Sequence, residues 1–193
     1  MKNSAKGLGL ICLLFACLLA TGCGGGGGSS SGSSPPNPQP QAATKAVVSY
    51  SVTNSGSSPL AGIQFSAYLP PGTTVTTTAG TNQIATTNLV AGAALSGLQV
   101  QVFGSYSAPL RKVKLGILPT NAASLLSGFS GGELLRLTCN LTDASLSQSD
   151  FTGANGGHPV PQSEIFGYAY DTVNKTTVDL NSFLTPSLAV TLN

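Results

Sequence analysis

Charge is scarce in this 193-residue chain: Asp, Glu, Lys and Arg make up 7% of it, against about 25% in an ordinary globular protein. That excludes the dense basic face by which proteins hold nucleic acid. Lys2 and Lys6 lie at the extreme N-terminus; Lys45, Arg111, Lys112, Lys114, Arg136 and Lys175 are the other basic residues. They face Glu133, Asp143, Asp150, Glu164, Asp171 and Asp179, a near-neutral balance. Ser, Thr, Asn and Gln must therefore supply most of the wetted surface. Tryptophan is absent and aromatics amount to 6%, which leaves little material for stacking platforms. The single histidine, His158, excludes a His-rich metal centre.

The N-terminus has to be set aside before the fold is read. Residues 8–20 form an uncharged apolar run, followed by small residues and Cys23. The run suits a signal peptide and is short for a helix crossing ~30 Å of hydrocarbon. The sequence Leu19-Ala20-Thr21-Gly22-Cys23 resembles the bacterial lipobox, with Ala20 where leucine is usual. The resemblance implies a lipoprotein signal peptide over residues 1–22 and acylation of Cys23. Two or more chains would anchor the protein without spanning the membrane, since each buried CH₂ contributes ~0.8 kcal/mol. Gly24 stands where Asp would signal inner-membrane retention, so the same resemblance points to the outer membrane or cell surface.

The four cysteines do not form a disulfide framework on this reading. Cys12 and Cys17 leave with the signal peptide, Cys23 is acylated, and Cys139 is left alone. A lone thiol is either buried or reactive. Leu135, Leu137 and Leu141 share the parity of Cys139 and favour burial.

Residues 23–44 form a Gly/Ser/Pro-rich linker, read as disordered, with a flexible glycine-rich part and a stiffer part at Pro35-Pro36-Asn37-Pro38-Gln39-Pro40. Residues 45–193 are the size of one domain. Alternation runs through Ala46, Val48, Tyr50 and Val52; through Ile63, Phe65, Ala67 and Leu69; and through Leu98, Val100 and Val102. It returns at Val113, Leu115 and Ile117, then across residues 133–142, with Leu134, Arg136, Thr138 and Asn140 opposite the Leu135 face. Residues 165–170 and 176–180 flank a hairpin turn, and residues 187–192 supply a last strand. Period-2 runs punctuated by Gly, Pro, Asn and Ser predict an all-β sandwich or barrel. The one helical candidate is a single turn at residues 121–126, and residues 73–94 are assigned to no element.

The order of these features is similar to that of the cohesin family and its carbohydrate-binding-module relatives. A strand reading Gly62-Ile63-Gln64-Phe65 precedes a segment reading Gly131-Gly132-Glu133-Leu134-Leu135-Arg136-Leu137, as in the family's Gly-aliphatic-x-Phe and G-x-L-x-x-L-x-F elements. The resemblance spans most of residues 45–193. It implies a jelly-roll-like β-sandwich of about nine strands and, as partner, a dockerin-like protein module docked on a flat sheet face. Related modules bind polysaccharide, which stands as the alternative.

Chemistry-bearing constellations are sparse. His158 sits among turn formers in Gly156-Gly157-His158-Pro159, and no Gly-x-Ser-x-Gly elbow accompanies it. The acidic residues fall singly and suit turns rather than the paired carboxylates of glycoside hydrolysis. Asp143 to Asp150 is the best calcium loop, yet lacks an EF-hand pattern. No catalytic residue, metal or cofactor is assigned. Phe166, Tyr168 and Tyr170 share a face and form the candidate ligand-stacking stripe, with Tyr68 and Tyr106 able to join it; a strand with Phe166 in the core and half-buried tyrosines fits the same alternation. The Arg111-Lys112-Val113-Lys114 cluster, with Arg136, reads as protection of an exposed sheet edge ahead of a partner-binding patch. The resulting expectation is a non-catalytic lipoprotein whose domain docks a protein at the envelope, with carbohydrate binding as the alternative.

Lipidation is directly testable: labelled palmitate should enter the wild-type protein in its bacterial host and vanish from a Cys23→Ser variant. Label retained by that variant rules the anchor out.

Overall fold

The computed structural model describes residues 42–193, so the signal peptide, Cys23 and most of the linker lie outside the described residues. Two antiparallel sheets face one another. The first joins β10 (Leu184–Leu192), β1 (Lys45–Asn54) and β7 (Gly131–Leu141), with β3 (Thr73–Thr74) and β4 (Leu89–Ala91) both pairing β7. The second runs β5 (Val100–Ser107), β6 (Lys112–Pro119), β2 (Gly62–Tyr68), β8 (Ile165–Asp171), β9 (Thr176–Asp179). The described residues form an all-β sandwich of ten strands, with the short β3 and β4 in residues 73–94, which the alternation pattern assigns to no element.

The alternating residues meet between the sheets. Val48, Tyr50, Val52, Leu135 and Leu137 from the first sheet, and Ile63, Phe65, Val113, Leu115 and Ile117 from the second, are almost wholly buried. Tyr50 and Phe65 make a tilted aromatic contact between sheets, with ring centroids 5.1 Å apart. Cys139 is fully buried in the core, and burial pushes its thiol up to about 12, which leaves it inert.

One departure from strict alternation has a clear cause. Leu134, expected opposite Leu135, is buried beside it. The β1–β7 register shifts between Tyr50 and Ser51, so that Tyr50 faces Leu135 while Ser51 faces Glu133. This bulge turns the extra residue, Leu134, inward and brings Glu133 and Arg136 to one outer face. There the guanidinium clasps the carboxylate through both Nε and Nη2.

The edge-protection reading of the lysine cluster is overturned. β6 lies between β5 and β2, so Lys112 and Lys114 stand on an interior strand, and Arg136 belongs to the other sheet. The edges are guarded differently. Asn193 exchanges hydrogen bonds with Lys45, so by alternation Pro186, Leu188 and Val190 of β10 point their amides away from β1. Pro186 has no donor there, and the Val190 amide donates to Gln148 Oε1 at 3.3 Å. Along β5, the segment around Asn82 and Ile84 covers the edge, with Ile84 N–H on Gly104 O and Tyr106 N–H on Asn82 O.

Two short helices complete the fold. α1 (Ala122–Ser127) is the expected turn, capped by Asn121, whose side chain accepts from the Ser124 amide at 2.7 Å. α2 (Gln148–Gly153) was not anticipated; Ser147 and Asp150 form its capping box. Just after α2, Asn155 is buried and acts as a side-chain substitute for a neighbouring strand. Its Oδ1 accepts from the Tyr68 amide at 2.7 Å, and its Nδ2 donates to the Tyr68 and Phe151 carbonyls at 2.9 and 2.8 Å. Asn155→Ala would orphan all three groups, and an expected loss of about 2–4 kcal/mol follows from the cost of unpaired buried polar groups. Asn155→Asp should destabilise further at neutral pH, because a carboxylate would face two carbonyl oxygens. Urea unfolding midpoints of the two variants check this; a loss below about 0.5 kcal/mol for both would show the clamp to be dispensable.

Candidate functional site

The outer face of the second sheet gathers the sequence-predicted stripe. Phe166, Tyr168 and Tyr170 project from β8 on the side away from the core. Phe166 is 51% exposed, which overturns a core position for it, while both tyrosines are half-buried. Tyr68 shares this face from β2, under the Lys112 ammonium at 5.3 Å from its ring centre. Tyr106 does not: it points into the core, its hydroxyl near the Thr73 carbonyl.

Register lines up side chains across strands. Phe103 pairs with Gly116, Gly116 with Gln64, and Gln64 with Phe166, one row across four strands. The next row is Ser105, Lys114 and Ser66. Two glycines keep the ground beneath these rows flat. A β-carbon on Gly62 would fall 2.6 Å from the Tyr168 ring, and one on Gly116 only 2.2 Å from the Phe103 ring. Each aromatic thus lies down on a glycine of the neighbouring strand. Leu118, 41% exposed, adds apolar surface beside them.

Beside this apolar half runs a shallow, open trough. It consists of two adjoining depressions of about 430 and 390 Å³ that share Gln64, Ser105 and Lys114. Amide and hydroxyl side chains dominate the lining, with Phe166 and Glu164 on one wall and Asn82, Gln83 and Thr86 on the other. Lys112 binds Glu164 at 2.6 Å. The hydrogen bond from Lys112, ahead of the Ser66 hydroxyl and the nearby charges, holds the Glu164 carboxyl below its ordinary range; the same hydrogen bond raises Lys112.

The acidic side chains all have local work. Asp143 accepts from the Ser145 amide and hydroxyl, Asp150 from Ser147, Asp171 from Val173 and Asn174, and Asp179 from Asn181. Hydrogen bonding from these partners lowers Asp143, Asp150 and Asp171. Among the described residues, no group of three or more His, Cys, Asp or Glu comes together as a metal site. His158 lies exposed in its turn. No helix among the described residues is long and apolar enough to cross a membrane.

No protein-family model matches the chain, and neither does any curated protein or solved structure.

The lowered carboxylates set the sign of an acid response. Their folded-state values lie below the unfolded ones, so their stabilisation is complete above the ordinary carboxylate range and is lost as pH falls through the folded values. Unfolding free energy should therefore drop as pH is taken from about 5 towards 2. Glu164→Gln should cost no more than about 1 kcal/mol at pH 7, because the pair is partly solvated, and should shallow the acid limb. Denaturant titrations at several pH values measure both; a stability flat through the carboxylate range contradicts the assignment.

Proposed function

We propose that the chain is a non-catalytic recognition module, lipid-anchored at the cell envelope through Cys23, which docks a folded protein on the outer face of its β5-β6-β2-β8-β9 sheet. The observation that carries this reading is Phe166, half in water at an interior strand of the sheet, in register with Gln64 and at the far end of a row that begins at Phe103. A phenylalanine side chain buries roughly 150–250 Å², so covering the exposed half of this one would contribute about 2–3 kcal/mol. That is the size of an interface anchor. The face also has suitable dimensions. Five strands ~4.8 Å apart and eight residues of β6 at ~3.3 Å each give a plan roughly 20–25 Å on a side. With its bordering loops it approaches the ~800 Å² per partner of an ordinary complex. A small-molecule site would instead be concave and enclosing. The cohesin-like order of motifs names a dockerin-like module as the partner type.

A second reading has an observation of its own. The amide and hydroxyl lining of the trough, beside Phe166, suits the hydroxyls and apolar face of a sugar, so a polysaccharide is the alternative occupant. Tyr168, pressed onto Gly62, presents less free ring for stacking, which is why protein docking leads.

The test compares partner recovery from the source organism's extracellular fraction by wild type, Phe166→Ala and, on the opposite sheet, Ser49→Asp. Docking requires that Phe166→Ala weaken binding of the recovered protein by tenfold or more while Ser49→Asp leaves it unchanged. Equal binding by all three removes this face from the function. Retardation on polysaccharide affinity gels that is lost in Phe166→Ala and Tyr168→Ala would assign the face to glycan instead.

A further inference from the structure

Asn155-Gly156 is the single Asn-Gly sequence in the chain. Such a step is chemically weak, because glycine has no β-carbon to shield its backbone nitrogen. That nitrogen can close on the side-chain amide carbon of the asparagine before it. The fold holds both reacting groups apart. Asn155 is 7% exposed, and its amide is engaged at both ends, by the Tyr68 N–H and by the Tyr68 and Phe151 carbonyls. The Gly156 nitrogen is engaged as well, donating to the Gly153 carbonyl at 3.1 Å. The next amide, of Gly157, donates to Thr152 at 2.9 Å. The turn that follows α2 therefore has to come away from Tyr68 before the nitrogen can reach the amide.

We infer that Asn155 is a one-way deamidation site, closed while its clamp is made and reactive when the α2 end of the domain opens locally. The Gly156 nitrogen bonds to Asn155 Cγ and the Cγ–Nδ2 bond breaks. Ammonia leaves, carrying the proton that the Gly156 nitrogen gave up, and a five-membered succinimide remains. Water then opens the ring at either carbonyl, giving an aspartyl or an isoaspartyl linkage. No other reactant is needed. Both products place a carboxylate where the Tyr68 and Phe151 carbonyls converge, so two acceptors lose their donor and face a negative charge. The clamp does not re-form, and opening becomes permanent. The strand end that is released carries Tyr68, which pairs with Lys112. Lys112 lies over the Tyr68 ring and binds Glu164, so the reaction also loosens one wall of the trough. The inference does not depend on what that face binds.

The test incubates the full chain at mildly alkaline pH, folded and in unfolding urea. Peptide mapping follows the amide-to-acid mass change at residue 155 and separates aspartyl from isoaspartyl product. Folded wild type should react about a hundredfold more slowly than the unfolded chain, the factor expected if three buried hydrogen bonds of ordinary net strength hold the clamp shut. Phe151→Leu, which loosens the buried anchor of α2, should speed the folded reaction about fivefold or more. Ile117→Val, at the opposite end of the β2–β6 pairing, should leave it within about twofold of wild type. Circular dichroism verifies each fold. Should Phe151→Leu not fold, Ser147→Ala, which removes the α2 cap, takes its place. The deamidated fraction, once purified, should unfold at lower urea than the parent. Three results overturn the inference: equal rates folded and unfolded, equal acceleration by Phe151→Leu and Ile117→Val, or an unchanged urea midpoint after deamidation.

Discussion

Strand register is the constraint on which the rest of this structure depends. The domain's one cysteine, Cys139, is buried and unpaired, so no cross-link fixes one strand against another. What fixes them is parity. In β6, Val113, Leu115 and Ile117 face the core while Lys112, Lys114 and Leu118 face out. A slip of one residue would turn both lysines inward and expose three aliphatic side chains, each worth about 1.5–3 kcal/mol of burial. A buried, unpaired ammonium costs several kcal/mol more. Both faces of the strand therefore select the same pairing, and the residues proposed for recognition help to specify the fold.

Local irregularities then shape what that register presents. The bulge opposite Tyr50 and Ser51 brings Glu133 and Arg136, residues of opposite parity, to one face, where they neutralise each other. Gly62 and Gly116 do the reverse of a bulge: by carrying no side chain they let Tyr168 and Phe103 lie flat, and the second sheet stays level where a larger residue would raise a ridge. Asn155 supplies strand-like hydrogen bonds to Tyr68 from outside any strand, which secures the end of β2 next to Lys112.

Much of this was legible in the sequence wherever a strand is buried on one side only. β1, β2, β6, β7 and β8 alternate strongly, because each has a core face and a wet face, and that contrast is what a period-2 pattern records. Residues 73–94 were not legible, since β3 and β4 are held by two- and three-residue pairings to β7 rather than by their own periodicity. α2 was missed although Ser147-Gln148-Ser149-Asp150 before Phe151 is a capping signature; in a run of polar residues it read as a loop, and possession of a buried Phe151 distinguishes the helix. The stripe of Phe166, Tyr168 and Tyr170 followed from parity, but which of the three would be free did not, because that depends on Gly62 across the strand. The lysine cluster was misread for a related reason: sequence gives the composition of a strand and not its rank in the sheet.

The two outer faces of the sandwich differ in a way that bears on which of them recognises anything. On the first sheet, Val47, Ser49, Ser51, Ala189 and Thr191 form a shallow, small-residue surface around the Glu133–Arg136 pair, with Val90 and Lys45 exposed at its margins. Covering that surface would bury no aromatic ring, Val90 being its one large exposed apolar side chain among the described residues. On the second sheet, Phe166 and Leu118 leave apolar area in water while Lys114 leaves a charge without a protein counterion among the described residues. Both conditions cost the isolated domain something, and neither is required by the core, since Leu118 and Lys114 could be threonines without disturbing Val113, Leu115 or Ile117. A surface that keeps costs the fold does not impose is where a partner would relieve them, and here Lys114 on β6 and Phe166 on β8 stand in adjacent rows of one sheet face.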